Sequence, residues 1–253
     1  MKNRNYQISN IKKLFNSDKF KQYRYVYIYS DFRFFLSQNK NNTEKFMKSF
    51  LEIFMKNNQT IIVPTFSYSK KNFDIRKDKS SLGFFSNYVL NLRGVKRSEH
   101  PIFSYAAYGP NKKIVTKIGK SAFGEDSLHE RLLFKKCCFL HFGRKLIDGN
   151  TIVHHIEQNF SAKYRFDKVF KTKVYFNKKY IGTNYSAYVK KKFDKLSIFT
   201  FKKAIREINK KKIIVKLNDE KELKSIFFYS YDDIYFLLHK FYLTNDKAFL
   251  KYS

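Results

Sequence analysis

The chain has few of the residues that form disulfide frameworks or flexible linkers. Its only cysteines, Cys137 and Cys138, are adjacent within the apolar run Cys-Cys-Phe-Leu. Neighbouring thiols in such a run are typical of small core residues rather than of a disulfide or a metal site. Glycine and proline are also scarce, with eight and three residues, so no flexible linker is predicted. We therefore expect neither redox chemistry nor a structural metal.

Long apolar runs are also missing. No stretch of about 18 uninterrupted apolar residues occurs, and residues 1–7 lack the apolar core of a signal peptide. We therefore expect neither a membrane span nor secretion, and a cytoplasmic location is the default. At 43% hydrophobic and 19% aromatic residues, the chain is too apolar to be disordered.

Acidic residues are scarce, with 21 Asp and Glu against 52 Lys and Arg and a net charge of +31. Such a surplus attracts polyanions. The chain is equally rich in Asn, Ile, Phe and Tyr, whose codons are A/T-rich, so genome composition explains the charge as well as a binding surface does. The lysines are spread along the chain, with short clusters at 190–192 and 210–212, and no paired Cys/His zinc spacing occurs. Nucleic acid is not an expected partner, whereas peripheral membrane contact stays open.

Strand and helix patterns alternate along the chain. Strands are predicted at 25–29, 60–63, 104–109, 137–142, 169–176 and 213–217. Helices are predicted at 43–57, 84–92, 112–120, 128–134 with Ser127 as N-cap, 150–160, 199–209 and 231–243, with a polar loop at 69–81. This order predicts a single α/β domain over residues 1–253, with a central mixed sheet flanked by helices and a more irregular C-terminal third.

The segment Asn150-Thr-Ile-Val-His-His-Ile-Glu157 places an imidazole and a carboxylate three residues apart in a predicted helix. Residues at i and i+3 share a helical face. A histidine held by a carboxylate is a general base that suits removal of a proton from an attacking amine or hydroxyl. On its own, however, such an octet is more often a core helix with an incidental His-Glu pair.

Other polar clusters follow the predicted strands, where open α/β sheets usually bind their ligands. In order they are Tyr29-Ser-Asp31, Pro64-Thr65, Arg97-Ser-Glu-His-Pro101, Ser104-Tyr-Ala-Ala-Tyr-Gly109, Phe123-Gly-Glu-Asp-Ser127 and the octet. Their order and content resemble the antibiotic N-acetyltransferase family, of the aminoglycoside 3-N-acetyltransferase type. That family has a His-Ser-Ser-like turn, Pro-Thr, Arg-Ser-x-His-Pro, Ser-x-x-Ala-x-Gly, Phe-Gly-x-x-Ser and Asn-Thr-x-x-His-x-x-Glu in the same order. The resemblance covers residues 25–165.

The resemblance implies an acetyl-CoA-dependent N-acetyltransferase with a fold distinct from GNAT, whose phosphate-binding loop is missing here. By position it makes His154 the general base and Glu157 its carboxylate partner, in a direct transfer without an acyl-enzyme. The neighbouring His155 points about 100° away around the helix, so we expect a packing or surface role for it.

The resemblance also assigns residues to CoA and to the acceptor. It points to the turn after the first strand for the CoA phosphates, which a helix N-terminus suits, although Tyr29 and Asp31 replace the family's His and second Ser. Arg97 could anchor a loop through a carboxylate or contact the substrate, and of these we expect the structural role for Arg97, as for Pro101. The residues expected at the cofactor site are Ser30, Asp31, Phe32, Arg33, Thr65 and Ser104. The developing oxyanion needs hydrogen-bond donors, for which backbone N–H groups or the hydroxyls of Thr65 and Ser104 are the candidates. The residues expected to contact the acceptor are Ser98, His100, Asp126 and Ser127.

The net charge bears on the acceptor. Aminoglycosides are polycations, and a protein of charge +31 gains nothing from its overall field in binding them. We therefore expect an amino sugar linked to a nucleotide, a lipid carrier or a polysaccharide of surface glycan biosynthesis. One alternative is an aminoglycoside 3-N-acetyltransferase, and another is a non-catalytic basic protein that binds nucleic acid or membrane. O-acylation also stays open, because general-base attack serves hydroxyls as well as amines.

Overall fold

Strands and helices follow one another along the whole described chain. The computed structural model describes residues 11–13, 15–38, 42–68, 71–146, 150–191, 197–199, 202–217, 226–245 and 249–252. The strands are β1 (Tyr25–Ser30), β2 (Thr60–Pro64), β3 (Asn72–Asp74), β4 (Lys96–Arg97), β5 (Tyr105–Tyr108), β6 (Cys137–Phe142), β7 (Arg165–Phe170), β8 (Lys173–Phe176), β9 (Lys179–Gly182), β10 (Tyr185–Lys190), β11 (Ser197–Phe199), β12 (Val215–Lys216), β13 (Ile226–Ser230) and β14 (Leu250–Tyr252). The helices are α1 (Asp18–Lys21), α2 (Arg33–Gln38), α3 (Thr43–Lys56), α4 (Phe84–Leu90), α5 (Leu128–Leu132), α6 (Ile152–Asn159), α7 (Lys202–Lys210) and α8 (Tyr231–Leu243), with a 3-10 turn at Lys112–Val115.

A seven-stranded mixed sheet lies at the centre, in the order β12-β13-β6-β1-β2-β5-β4. The strand β1 pairs in parallel with both β6 and β2, whereas β13 and β5 run antiparallel to their neighbours. The carboxyl ends of the three parallel strands therefore lie at one edge of the sheet, where open α/β sheets keep their ligands.

Alternation along β1 divides the core into two layers, because successive side chains of a strand point to opposite faces. Tyr27 and Tyr29 join the cluster that includes apolar residues of α6 and α8. Val26 and Ile28 join the cluster that includes apolar residues of α3 and α4. Both faces of β1 are buried, as expected for an inner strand with parallel neighbours.

The adjacent cysteines also point to opposite layers. Cys137 belongs to the cluster with α6 and Cys138 to the cluster with α3, and both thiols are buried and free. Burial raises the pKa of each well above its usual range, so both stay protonated. The prediction that they are core residues is confirmed.

The structure agrees with most predicted elements and corrects several. The strand predicted at 169–176 is two strands, β7 and β8, and the predicted loop at 69–81 contains β3. The helix predicted at 112–120 is the short 3-10 turn, and the helix predicted at 199–209 begins at Lys202, after β11. The C-terminal third also supplies two strands of the central sheet, β12 and β13. Parts of three predictions, residues 1–7, 69–70 and 200–201, lie outside the described residues, as does Lys192.

No helix among the described residues is long and apolar enough to cross a bilayer. Likewise, the described residues contain no group of three His, Cys, Asp or Glu side chains that could hold a metal ion.

Candidate active site

Buried polar contacts from the sheet anchor the start of helix α6. Thr151 Oγ1 lies 3.0 Å from His129 Nε2 and 3.3 Å from the hydroxyl of Tyr29, which is on β1. Asn150 Oδ1 accepts a hydrogen bond of 2.9 Å from the hydroxyl of Tyr229, on β13. Burial raises the pKa of Tyr29 to about 12, so its phenol is a neutral hydrogen-bonding group. Two strands that flank β6 in the sheet, β1 and β13, therefore position the first turn of α6.

One turn further along α6, an imidazole and a carboxylate meet. His154 Nδ1 lies 2.8 Å from Glu157 Oε2. The Glu157 side chain is fully buried, whereas 27% of the His154 side chain is exposed. The i, i+3 spacing thus brings the two groups together on one helical face, with the carboxylate beneath and the imidazole open to solvent.

Tyr164 and Arg165, which follow α6 in the chain, hold the Glu157 carboxylate. The Tyr164 hydroxyl donates a hydrogen bond of 2.8 Å to Oε1, and Arg165 Nε lies 2.6 Å from Oε2 as an ion-pair partner. Burial raises the pKa of Glu157, but the hydrogen bond from His154, the charges of His154 and Arg165 and the Tyr164 hydroxyl outweigh it and hold that pKa below its usual value. Burial and the adjacent carboxylate raise the pKa of Tyr164, which keeps it protonated as a donor. Glu157 is therefore ionised at neutral pH.

This arrangement decides which nitrogen of His154 can act. Because Nδ1 donates to the carboxylate, we assign Nε2 as the nitrogen that accepts a proton. The charge of Glu157 stabilises the imidazolium that results. The Phe123 ring packs against the imidazole, with the ring centroids 5.4 Å apart. The geometry is that of a general base.

The neighbouring His155 packs on a different, buried side of the helix. It is fully buried, its Nδ1 accepts a hydrogen bond of 3.0 Å from the Gly124 backbone N–H, and its Nε2 lies 3.2 Å from Asn159 Nδ2. Burial lowers the pKa of His155 to about 4, so the ring is neutral at physiological pH. His155 thus ties the 123–127 loop to α6, and the predicted packing role is the one it has.

The two residues of the 123–127 loop that are predicted to contact the acetyl acceptor, Asp126 and Ser127, have different environments. Ser127 is fully buried and caps α5 by accepting a hydrogen bond from the Glu130 backbone N–H. Asp126 is exposed, has a φ of 57° and follows an exposed Glu125. The loop therefore offers two carboxylates to solvent, while its serine hydroxyl serves the fold.

The Arg97 cluster is structural. Its guanidinium donates to the backbone carbonyls of Thr65 and Asp78 and to Ser104 Oγ, and it lies 4.7 Å from the centroid of the Phe73 ring. These hydrogen bonds go to backbone carbonyls and a hydroxyl, while the Asp78 carboxylate interacts with the guanidinium through its charge. Thr65 and Ser104 are themselves fully buried, with their hydroxyl oxygens 3.2 Å apart. The structure thus encloses both in the fold rather than opening them to a ligand.

Ser98 and His100 also hold the local backbone. Ser98 is fully buried and accepts a hydrogen bond of 2.8 Å from the Tyr105 backbone N–H. His100 Nδ1 accepts from two backbone N–H groups, so Nε2 carries the proton and donates to the Ser186 carbonyl at 2.9 Å. Burial lowers the pKa of His100 to about 4 and keeps the ring neutral. These contacts leave neither side chain open for an acceptor.

The turn after β1 opens onto a cavity of about 310 Å³, which we name the β1 cavity. Arg33 and Asp31 form a salt bridge of 2.8 Å at its edge, and 87% of the Arg33 side chain is exposed. Phe32 is buried in the core, while Leu82 and Phe84 are partly exposed. The cavity is lined by Ser30, Asp31, Phe32, Arg33, Ser81, Leu82, Gly83, Phe84, Phe85 and Arg144. It therefore combines guanidinium groups with apolar side chains.

Sequence reasoning missed the residues that support the pair of His154 and Glu157, which we call the dyad. Tyr164 and Arg165 lie just beyond the helix, without a helical spacing to Glu157 that would have marked them. His129 lies on a different helix. The only available signal was the general rule that a buried carboxylate has a cationic partner.

The sequence profile of the aminoglycoside 3-N-acetyltransferase family matches residues 37–222, which is 186 of the 253 residues. No curated protein matches the chain in sequence. Among solved structures, the aminoglycoside acetyltransferase AAC(3)-IVa apoenzyme is 18% identical with a TM-score of 0.68, over 96% of this chain and 89% of that chain. The YokD protein from Bacillus subtilis is 14% identical with a TM-score of 0.70, over 95% and 94% of the two chains. The AAC-IIIb binary complex with CoASH is 10% identical with a TM-score of 0.69, over 92% and 93%.

These similarities agree with the mixed α/β fold of the chain. The solved structures share the fold, and the sequence profile spans most of the chain, from the second described helix through the dyad into the C-terminal third. Enzymes of this family use acetyl-CoA as the acyl donor. The chain belongs to the aminoglycoside 3-N-acetyltransferase family of acetyl-CoA-dependent acyltransferases.

Proposed function

We propose that the chain transfers an acetyl group from acetyl-CoA directly to an amino group of an amino sugar, with His154 as general base and Glu157 as its partner. The observation that carries this proposal is the 2.8 Å contact between a buried, ionised carboxylate and a partly exposed imidazole. An amine attacks a thioester only through its lone pair, and the proton it then carries must leave. His154 Nε2 accepts that proton.

The supporting residues keep the base in the required state. Glu157 stabilises the imidazolium formed after proton transfer, and Arg165 with Tyr164 keeps the carboxylate ionised and correctly oriented. Acetyl-CoA supplies the activated acetyl group as a thioester. No nucleophilic side chain is needed, which fits the burial of Cys137 and Cys138.

The β1 cavity is the proposed site for CoA. Its exposed Arg33 suits a phosphate group, and its exposed Leu82 and Phe84 suit apolar parts of the ligand. The contact between Tyr29 and Thr151 connects the end of β1 to the start of α6, so the cavity and the His154 helix share the same edge of the sheet. Thr65 and Ser104 support this edge through Arg97, and we assign them no contact with CoA.

The acceptor best supported is an aminoglycoside, the alternative of the sequence analysis. Related solved structures contain a gentamicin or apramycin bound to AAC(3)-IVa variants and sisomicin bound to AAC-VIa. In this chain, Glu125 and Asp126 are exposed on the loop whose Phe123 contacts His154. Exposed carboxylates on this loop suit a polycationic acceptor even in a chain of net charge +31. An anionic or carrier-linked amino sugar is the second candidate, which the net charge favours.

A thiol-release assay with matched acceptors tests the proposal. Acetyl-CoA is supplied with gentamicin or sisomicin in one series and with UDP- or dTDP-linked amino sugars in the other. Release of CoA thiol with the antibiotics is expected, and turnover of only the nucleotide-linked sugars would assign the second candidate. Mass spectrometry of the product distinguishes N- from O-acylation.

The base is tested with His154→Ala. Loss of general-base catalysis is expected to lower kcat about 100- to 10,000-fold. His239→Ala, at a partly buried histidine on α8 outside the dyad, is the matched control and should retain activity. Full activity of His154→Ala would refute the mechanism.

We also propose that residues 1–253 act as one domain in the cytoplasm, where acetyl-CoA is available. The central sheet supports this, because it takes strands from both the N-terminal part and the C-terminal third of the chain. Limited proteolysis should therefore produce no separable stable fragment.

A further inference from the structure

The chain from Arg165 to Lys190 forms two successive antiparallel strand pairs outside the central sheet, which we call the ribbon. β7 pairs antiparallel with β10, and β8 pairs antiparallel with β9. The turn between β8 and β9 consists of Asn177 and Lys178, both with positive φ, as in a tight two-residue hairpin. The strand β8 also pairs in parallel with β3, and Asp74 Oδ2 accepts a hydrogen bond of 3.0 Å from the Lys178 backbone N–H, so β3 holds the turn in place.

The ribbon concentrates exposed apolar side chains. Among the described residues, eleven large hydrophobic side chains are exposed, and five of them lie on the ribbon. They are Phe166, Val169, Phe176, Tyr180 and Ile181. Single exposed apolar residues are ordinary, whereas a cluster marks an interaction surface.

The same segment is strongly basic. Residues 163–191 contain nine Lys and Arg and a single acidic residue, Asp167. The remaining 224 residues contain 43 Lys and Arg and 20 Asp and Glu, a ratio near two to one. Genome composition acts on the whole chain, so it does not account for the excess in this segment.

The end of the ribbon presents both properties on one face. Phe176 is directly opposite Lys179 across the hairpin, and alternation along β9 puts Ile181 on the same side as Lys179. Phe176 is 44% exposed and Ile181 is 37% exposed. We call Phe176, Lys179 and Ile181 the ribbon tip.

A cationic cavity adjoins the ribbon tip. Phe176 lines a cavity of about 170 Å³ together with the exposed Arg76 and Lys96. The cavity also contains Glu99, whose carboxylate accepts a hydrogen bond of 3.2 Å from the Tyr185 hydroxyl. Two cations beside an exposed aromatic ring form a pocket suited to a phosphate group attached to an apolar body.

We propose that the ribbon tip and this cavity bind the surface of an anionic phospholipid bilayer. Phe176 and Ile181 enter the interfacial region, and Arg76, Lys96 and Lys179 contact headgroup phosphates. The inference goes beyond acetyl transfer and does not depend on it, because none of these residues belongs to the dyad or to the β1 cavity.

The side chains of the tip favour a bilayer over single-stranded nucleic acid. Binding to a single strand relies on successive exposed rings on which bases stack. Here the face with Phe176 continues with the aliphatic Ile181, while Tyr180 lies on the opposite face against Tyr175, with ring centroids 5.8 Å apart. An aliphatic side chain beside one ring, surrounded by lysines, suits the interface of a membrane.

Co-sedimentation of the full chain with vesicles tests the proposal. Vesicles of phosphatidylcholine alone are compared with vesicles that also contain phosphatidylserine, and binding is expected only to the latter. The triple variant Arg76→Gln/Lys96→Gln/Lys179→Gln should bind about a hundred-fold more weakly, at about 1 kcal/mol for each cation removed. The double variant Phe176→Ser/Ile181→Ser should also bind more weakly, because it removes the apolar contact.

Two matched controls separate the ribbon tip from the overall charge. Lys12→Gln/Lys13→Gln/Lys56→Gln removes three exposed cations around a different cavity, and Phe134→Ser/Phe236→Ser removes two exposed rings elsewhere. Both should bind vesicles nearly as well as the wild type. Equal losses in the controls would overturn the proposal in favour of distributed charge.

Two further measurements complete the test. Acetyl transfer to a soluble acceptor should be unchanged in all four variants, which shows that they are folded and separates this inference from the proposed function. Binding of a single-stranded oligonucleotide that falls in the ribbon-tip variants, without vesicle binding by the wild type, would also overturn the proposal.

Discussion

The contact between Glu157 and Arg165 allows stability and catalysis to be separated in one set of variants. Glu157→Gln keeps the shape of the side chain but removes the charge that faces Arg165 Nε at 2.6 Å and His154 Nδ1 at 2.8 Å. Arg165→Met keeps an unbranched apolar side chain but removes the cation. Both side chains are almost fully buried, so neither remaining charge can be solvated in place.

The burial of both side chains determines the expected changes in the free energy of unfolding. Removing one partner of a buried ion pair costs about 3–5 kcal/mol, whereas replacing both partners by neutral groups is often nearly neutral. Each single variant should therefore lose a large part of a typical stability of about 5–15 kcal/mol, and the double variant should regain much of it. Activity should behave differently, because Glu157→Gln and the double variant both lack the charge that stabilises the imidazolium, which costs about 100- to 10,000-fold in kcat.

Urea unfolding of the four proteins and the thiol-release assay on each supply the measurements. The pH dependence adds an independent check. The folded-state pKa of Glu157 lies below its unfolded value of 4.5, so its stabilisation is present above pH 4.5 and is lost as the pH falls through the folded pKa. Glu157→Gln has no carboxylate at this position to protonate, so it should lack this loss of stability at low pH. Additive destabilisation in the double variant, or recovery of its activity along with its stability, would refute the reasoning.

Three further predictions concern separate contacts. Tyr164→Phe removes the hydrogen bond to Glu157 Oε1, which should lower the free energy of unfolding in urea by about 1.5–3 kcal/mol. Because the folded pKa of Glu157 then rises, the pH below which the protein loses stability should rise as well. An unchanged acid transition would contradict this prediction. Gly109→Ala should destabilise by at least about 1–3 kcal/mol, since φ is +131° and a Cβ would lie 2.6 Å from the Gln59 carbonyl oxygen; a melting temperature equal to the wild type would contradict it. Arg33→Gln should raise the KM for acetyl-CoA several-fold with little change in kcat. Lys13→Gln, at an exposed lysine elsewhere, is the control, and a change in kcat alone would contradict the assignment of Arg33 to CoA.

Local patterns were enough to predict most of the scaffold. The bounds of β6 and α8 coincide with the apolar runs that predicted them, and Ser127 is the N-cap that its position before an apolar helix indicates. The strand β13 was not predicted although it pairs with β6 in the central sheet. Its five residues run directly into α8, and a short apolar run before a helix has no periodicity of its own.

The predicted site residues separate by burial, which no local pattern reports. His154 and Glu157 meet because a helical spacing brings them together, whereas Thr65, Ser98, His100, Ser104 and Ser127 are buried in backbone contacts. A hydroxyl or imidazole that follows a strand can serve a ligand or the fold. Which of the two it serves depends on the chain segments packed around it.

The sequence by itself determined the family, the mixed α/β scaffold and the pairing of His154 with Glu157, because ordered motifs and helical periodicity are local properties. Tertiary structure decided that Tyr164 and Arg165 hold the carboxylate, that His155 is a packing residue, and that Arg97 binds carbonyls. It also gathered exposed apolar and basic side chains at the end of one ribbon. The physical reason is that ionisation, burial and surface charge depend on distances between segments remote in sequence, and those distances exist only in the folded chain.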